Sequence, residues 1–319
     1  MLLQLLLTSP PAPAPRVTQL RGCAVPDREA LVSSLGRVAS CSGEVVVVKY
    51  GGHAMTDASL AERFSQDIAL LQALGVRAVV VHGGGPQIGG MLKRLNIESS
   101  FVAGLRVTDA ATMEVAEMVL CGSINKRIAA GITLAGGRAV GLSGKDDGLV
   151  RARRKQHIQV DSTTGERTSV DLGLVGEPDA VRVSLLQRLL DEGVVPVIAP
   201  VALGDDGASF NINADTMAGA VASALGAHAL LLLTDVAGVL SAEGELLPRL
   251  TVDHAHRLVQ DGTATGGMIP KIGTAIEAVK GGVRSAVVMD GRVPHCALLH
   301  LFGDGGVGTS IVQDAPPRW

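Results

Sequence analysis

Aromatic side chains are scarce in this chain, at 2% of 319 residues, so aliphatic side chains, within an apolar share of 47%, have to do most of the packing. Cysteine is scarce too. Cys23, Cys41, Cys121 and Cys296 stand far apart and form no CxxC pair, which argues against a disulfide framework or a zinc site and for reduced, buried thiols. No apolar stretch reaches the roughly 18 residues of a membrane span. The formal net charge of −3 lends no support to nucleic-acid binding. The P-loop pattern GxxxxGK[ST] is missing, because the one Gly-Lys pair, Gly144-Lys145, is followed by Asp146. The pattern GxGxxG fails as well, since Ile88 occupies the place of its last glycine. No internal repeat or coiled-coil heptad is visible.

Glycine, by contrast, is abundant, and two clusters of it follow apolar runs. Val45 to Val48 are four β-branched residues in a row, which predicts a strand buried on both faces and hence a parallel sheet covered by helices. That run ends in Lys49-Tyr50-Gly51-Gly52, placing a cation and bare amides at a strand's carboxyl end, where ligands of open α/β sheets bind. Ala78 to Val81 then lead into His82-Gly83-Gly84-Gly85-Pro86. Two strands delivering glycines into one crevice suit a ligand rich in oxygen and negative charge.

Helix and strand patterns alternate along the rest of the chain, as in a wound parallel sheet. Helices are predicted over Asp27 to Val38, Ala58 to Leu74 (closed by Gly75), Pro86 to Leu95, and Ala110 to Ala135, the last one long or kinked and capped by Asp109. A short strand over Ala139 to Leu142 precedes Ser143-Gly144-Lys145-Asp146. Polar alternation between Val150 and Val175, around Thr164-Gly165, reads as a β-hairpin excursion. Val195 to Ala199, Ala229 to Leu233 and Ser285 to Met289 complete the buried strands. Residues 1–26 are apolar, proline-rich and free of acids; they read as a disordered extension or a misassigned start, with a transit peptide as the alternative. Residues 27–43 form a helix and lead-in, 44–200 one lobe and 201–319 a second.

Three later segments carry chemistry. Phe210-Asn211-Ile212-Asn213-Ala214-Asp215-Thr216 sets amides and a carboxylate at the head of an Ala-rich helix. Thr234-Asp235-Val236-Ala237-Gly238-Val239 again follows a buried strand. Thr265-Gly266-Gly267-Met268-Ile269-Pro270-Lys271 places a second lysine beside glycines. Lysine is uncommon here, with seven against twenty-one arginines, and two of the seven adjoin glycine-rich turns.

In that order, together with Gly104-Leu105-Arg106-Val107-Thr108-Asp109, these segments resemble the amino-acid kinase family from about Glu44 to Val312, and within it the branch acting on N-acetylglutamate. The resemblance implies a three-layer αβα sandwich with a mainly parallel central sheet. It also implies ATP-dependent phosphorylation of the side-chain carboxylate of N-acetyl-L-glutamate, the second step of arginine biosynthesis, with residues 44–200 binding that acid and dimerising and 201–319 binding ATP. A carboxylate is already a deprotonated nucleophile, so positioning and charge neutralisation are the expected means of catalysis. By the resemblance, Lys49 and Lys271 flank the transferring group and Asp215 orients both. Amides of Gly52, Gly83 and Gly84 stabilise the oxygens gaining charge, and Gly51 joins Gly52 at the nucleotide. Mg²⁺ is held mainly by the nucleotide phosphates, with no metal-ligand cage in the protein. Arg106 grips the α-carboxylate in a two-pronged contact, Asn211 and Asn213 bond the substrate's polar groups, and Thr234, Asp235 and Gly238 border adenine and ribose.

Plainer roles stand beside these. Lys49 can be a snorkelling surface lysine, Gly83 to Gly85 a structural turn, Asp215 a helix cap, Arg106 a surface ion pair and Asp235 a turn former. His53, His82 and His295 are read as packing or bonding locally. The family's arginine-inhibited members join dimers into a hexamer through an amino-terminal helix, which Asp27 to Val38 matches; a homodimer is the least expected and a hexamer stays open. His300 and Gly305 replace acidic residues of those members, and a histidine cannot pair a guanidinium as a carboxylate does, so arginine feedback does not carry over with the motifs. A PII-type signalling protein is a candidate regulator, and the cytoplasm is the expected location, or an organelle if residues 1–26 are a transit peptide. Two other readings stay open: a sibling kinase of another small acid, and a non-catalytic sensor, which the intact Lys49, Lys271 and Asp215 argue against.

Overall fold

The four-valine run forms β1 (Val45–Tyr50), and Val46, Val47 and Val48 are wholly buried. The computed structural model describes residues 28–55, 57–160, 167–303 and 306–313. Residues 1–27, the Thr164-Gly165 turn and Gly305 lie outside them. In chain order the central sheet adds β2 (Arg77–His82), β3 (Ala139–Ser143), β4 (Val195–Ala199), β5 (Ala229–Thr234), β6 (Arg249–Thr251), β7 (Ser285–Asp290) and β8 (Thr309–Val312). Across the sheet their order is β6-β8-β7-β5-β1-β2-β4-β3. All neighbours are parallel except β7 and β8. Strands β1 to β4 thus make one half of the sheet and β5 to β8 the other, and they meet where β1 lies beside β5. Strand order reverses at that seam, which makes its carboxyl end the place for a ligand.

Ten helices are described: α1 (Arg28–Cys41), α2 (Ala58–Ala73), α3 (Gly85–Arg94), α4 (Ala110–Glu117), α5 (Asn125–Leu134), α6 (Ser184–Asp191), α7 (Ala214–Leu225), α8 (Val252–Gln260), α9 (Met268–Lys280) and α10 (Cys296–Phe302). Successive strand residues point to opposite faces, and two cores result. Val46, Val48 and Val80 join Phe64, Ile68 and Leu71 of α2 and Leu301 of α10 on one face. Val47, Val79 and Val81 join Leu186 of α6, Met217 and Val221 of α7 and Ile272 of α9 on the other. The chain is a three-layer αβα sandwich.

Three details differ from the sequence pattern. The helix expected over Ala110 to Ala135 is α4 and α5 joined by a π-helical stretch, Met118–Ile124; the Asp109 carboxylate caps its start by accepting the Thr112 amide at 2.8 Å. The polar excursion holds more than a hairpin. Strands at His157–Val160 and Arg167–Val170 pair antiparallel, but Val150–Arg154 and Val175–Val181 close a small barrel with Val201–Leu203 and Ser209–Ile212. Finally, α1 leaves Leu31 and Leu35 exposed, at 51% and 58%, while Val38 rests on the core and Arg37 donates to Phe302 O at 3.3 Å.

Candidate active site

The carboxyl ends of β1 and β2 lie side by side, with Tyr50 opposite His82, so both glycine clusters leave the sheet together. The Gly83 amide donates to Tyr50 O at 2.8 Å and extends the ladder by one rung. That donor, expected to serve an oxyanion, is therefore committed to the backbone. The turn is anchored underneath by the Tyr50 ring, stacked on Phe64 with centroids 3.8 Å apart and planes 4° from parallel. Gly52 adopts φ +69, a left-handed conformation suited to glycine. A Cβ on Gly51 would stand 3.0 Å from Lys49 Nζ, so the bare turn leaves the ammonium its space.

Lys49 is 8% exposed, far from a snorkelling surface residue. Its Nζ lies 2.9 Å from Asp215 Oδ1, and Lys271 Nζ lies 3.3 Å from Asp215 Oδ2. The Lys49 contact is an ion pair off the angle of a hydrogen bond, so Oδ1 has no hydrogen-bond partner. Burial pushes the Asp215 carboxyl up, but the two ammonium groups beside it outweigh that and hold the group below the usual value. Asp215 is not the helix cap. That part is played by Asn213, whose Oδ1 accepts the amides of Asp215 at 2.9 Å and Thr216 at 3.1 Å. The cap fixes the first turn of α7, and with it the direction of the Asp215 carboxylate. Lys271 sits in the first turn of α9, so β1, α7 and α9 each supply one member of the charged triad.

Lys49, Gly51, Gly52, Gly83 and Gly84 form one end of a cavity of about 230 Å³, with Arg106, Asn211 and Asn213 also in its wall. Arg106 is buried, not a surface ion pair. Its Nη2 donates to Gly85 O at 2.9 Å, Nη1 bonds Ser99 Oγ, and the guanidinium lies over the Phe101 ring at 4.6 Å. Among the described residues no carboxylate lies within ion-pair distance of it. Burial draws its pKa down, but guanidinium starts so high that it stays charged. A buried, unpaired cation in a cavity wall invites a carboxylate. Asn211 is held loosely, its Nδ2 3.4 Å from Thr108 Oγ1, which leaves the amide free to turn toward a ligand.

Thr234 ends β5 across the seam, Asp235 and Gly238 follow it, and none of the three lines this cavity. Thr234 Oγ1 donates to Asp235 Oδ1 at 3.1 Å, and Arg292 Nη2 donates to Asp235 O at 2.7 Å. Gly238 has a packing reason of its own: at φ +153 a Cβ would come within 2.6 Å of Thr309 Oγ1. Among the described residues no three His, Cys, Asp or Glu side chains gather as metal ligands, and no helix is long and apolar enough to cross a membrane.

Two features escaped sequence reasoning. The π-helical stretch packs Leu120 and Ile124 against Gly84, where a Cβ would meet them at 2.7 and 2.5 Å; nothing in its composition marks a π-helix. His82 and Asn125 form a buried polar pair behind the glycine turn, Nε2 to Nδ2 at 3.2 Å. The available signal was an amide interrupting the otherwise apolar inner face of α5.

The amino acid kinase family matches residues 44–290. Acetylglutamate kinase of Rhodospirillum centenum is 58% identical over 270 residues, covering 85% of this chain and 88% of that protein. Acetylglutamate kinase of Methylobacterium nodulans is 54% identical over 283 residues, covering 89% of this chain and 93% of that protein. Among solved structures, N-acetylglutamate synthase from Neisseria gonorrhoeae complexed with coenzyme A and N-acetyl-glutamate superposes with a TM-score of 0.77 at 24% identity, over 90% of this chain. The chain spans 64% of that protein's length. Carbamate kinase from Giardia lamblia bound to AMP-PNP gives a TM-score of 0.60 at 18% identity, over 86% of this chain and 100% of that one. At these identities the two structures speak for the fold alone.

Proposed function

Because the chain belongs to the amino acid kinase family, we propose that it transfers the γ-phosphoryl group of ATP to the side-chain carboxylate of N-acetyl-L-glutamate, forming N-acetyl-L-glutamyl 5-phosphate for arginine biosynthesis. The observation that carries the reading is the pair of ammonium groups converging on one buried carboxylate, beside a cavity whose wall holds an unpaired guanidinium.

The reaction brings an anion to an anion. A carboxylate oxygen attacks the γ-phosphorus, the bond from that phosphorus to the β–γ bridging oxygen breaks, and ADP leaves with the electron pair. No proton has to be removed. Lys49, at the cavity, neutralises charge on the equatorial oxygens, and Lys271 does so on the nucleotide side. Asp215 holds both cations in register and abstracts nothing, which suits a carboxyl held well ionised. Amides of Gly52 and Gly84 face the oxygens that gain charge. Arg106 takes the α-carboxylate, with Asn211 and Asn213 along the same wall; Gly51, Thr234, Asp235 and Gly238 lie toward the nucleotide. Asp215 is engaged by both lysines, and Mg²⁺ would enter with the nucleotide, held mainly by its phosphates.

The same reading divides the chain into an acid-binding lobe, 44–200, and an ATP-binding lobe, 201–319, working as a homodimer or hexamer in the cytoplasm, with a PII-type protein as regulator. Support for assembly is the exposed apolar surface at Leu31, Val32 and Leu35 of α1. His300 supports insensitivity to arginine: burial lowers its pKa and its Nδ1 donates to Val307 O at 2.8 Å, so it offers no anion.

Acyl-phosphate formation, trapped as hydroxamate, tests the reading with ATP, Mg²⁺ and a panel of N-acetylglutamate, glutamate, aspartate and N-acetylaminoadipate. Turnover confined to N-acetylglutamate, abolished in Lys271→Ala and unaffected by arginine, is the expected result. Turnover of another acid alone moves the chain to a sibling activity, and none on any acid leaves a sensor.

A further inference from the structure

We propose that His82 and Asn125 are positioning residues that aim the Gly84 N–H into the cavity at the transferring phosphoryl group; the inference rests on the kinase reading of that cavity. His82 is wholly buried, and its Nδ1 lies 2.9 Å from Gly83 O. A carbonyl only accepts, so Nδ1 carries the hydrogen and Nε2 is left as an acceptor. Asn125 Nδ2 meets that acceptor at 3.2 Å and also donates to Val197 O at 2.8 Å and Leu142 O at 3.1 Å. All three neighbours are acceptors, which fixes the amide's orientation, because the flipped group would set its oxygen against two carbonyls. The pair is therefore bolted to β3 and β4.

Gly83 is in turn held from both sides, by its N–H to Tyr50 O and by its C=O to His82. The Gly83–Gly84 peptide is trans and planar, so the Gly84 N–H points away from the tethered carbonyl. Gly84 lines the cavity with Lys49, and among the described residues no acceptor takes its N–H. Without the tether, a peptide between two glycines is free to rotate.

Stability alone does not account for this pair. Asn125 Oδ1 is buried with no hydrogen-bond partner, an omission costing about 1–3 kcal/mol that an apolar residue would avoid. Strand β3 also forgoes a side chain to admit it, since a Cβ on Gly141 would lie 1.9 Å from that oxygen.

The test compares His82→Asn, whose amide can donate near the Nδ1 position, with His82→Gln, which reaches instead toward Asn125, and with His82→Leu. Losing one aligned oxyanion donor lowers kcat by about 10²–10³-fold. That loss is expected in the Gln and Leu variants, with KM for both substrates little changed, while His82→Asn recovers most of kcat. Thermal melts report stability in parallel, and the Asn-over-Gln ranking serves if the Leu variant does not fold. Wild-type kcat in folded His82→Leu or His82→Gln overturns the proposal, as does equal loss in Asn and Gln that follows the folded fraction. Lys271→Ala runs alongside: if it is inactive while folded His82→Leu is fully active, only the positioning role falls, whereas an active Lys271→Ala removes the site reading itself.

Discussion

His82 stays neutral in the folded chain because burial pushes its imidazole from 6.5 down to about 4, an effect that the bond to Gly83 O only partly opposes. In the unfolded chain the ring is in water and protonates near its ordinary value. Between those values the unfolded state binds the extra proton, so this contribution to stability is complete above pH 6.5 and is lost as pH falls toward 4, by up to about 3 kcal/mol. Urea unfolding at pH 7 and pH 4.5 should show that fall, and His82→Asn should flatten it. Reading the sequence alone, His82 looked like a locally bonded histidine, and so it is; what it bonds to was hidden, because Asn125 comes from 43 residues away. Lys49 and Lys271 were legible for the opposite reason. Each stands beside glycines at the end or head of an element, and such patterns are local.

Helix α7 shows how one element serves two ends. Its cap, Asn213, also faces the cavity, so stability and recognition have to be separated by choice of substitution. Asn213→Ala is expected to lower unfolding free energy by about 0.5–2 kcal/mol and, by loosening the turn that carries Asp215, to reduce kcat. Asn213→Asp keeps a capping oxygen, so chemical denaturation should return near wild type, while the added negative charge weakens binding of N-acetylglutamate and raises its KM. A wild-type KM in the Asp variant would remove Asn213 from the substrate's surroundings. Strands β1, β2, β4, β5 and β7 were readable as runs of β-branched and aliphatic residues. The short β6 and β8 were not, since three or four residues at a sheet margin make no run, and neither was barrel closure, which depends on Arg151 and Leu203, 52 residues apart, finding one another.

At the scale of the whole molecule, the seam between β1 and β5 joins the two halves of the chain instead of dividing them. Each core cluster draws on strands from both sides, as Val46 with Leu231 on one face and Val47 with Leu230 on the other. Heating is therefore expected to give one calorimetric transition; two resolved transitions would mean that the halves melt separately. The wound sheet was legible in the alternation of elements, but its order was not, because strand order is a long-range property. Composition also has an optical side. Tyr50 is the chain's one tyrosine, stacked on Phe64 directly beneath the turn that bears Gly51 and Gly52. Fluorotyrosine incorporation would give a single fluorine resonance from directly beneath the site, so nucleotide and acid titrations can be followed by NMR at one defined position.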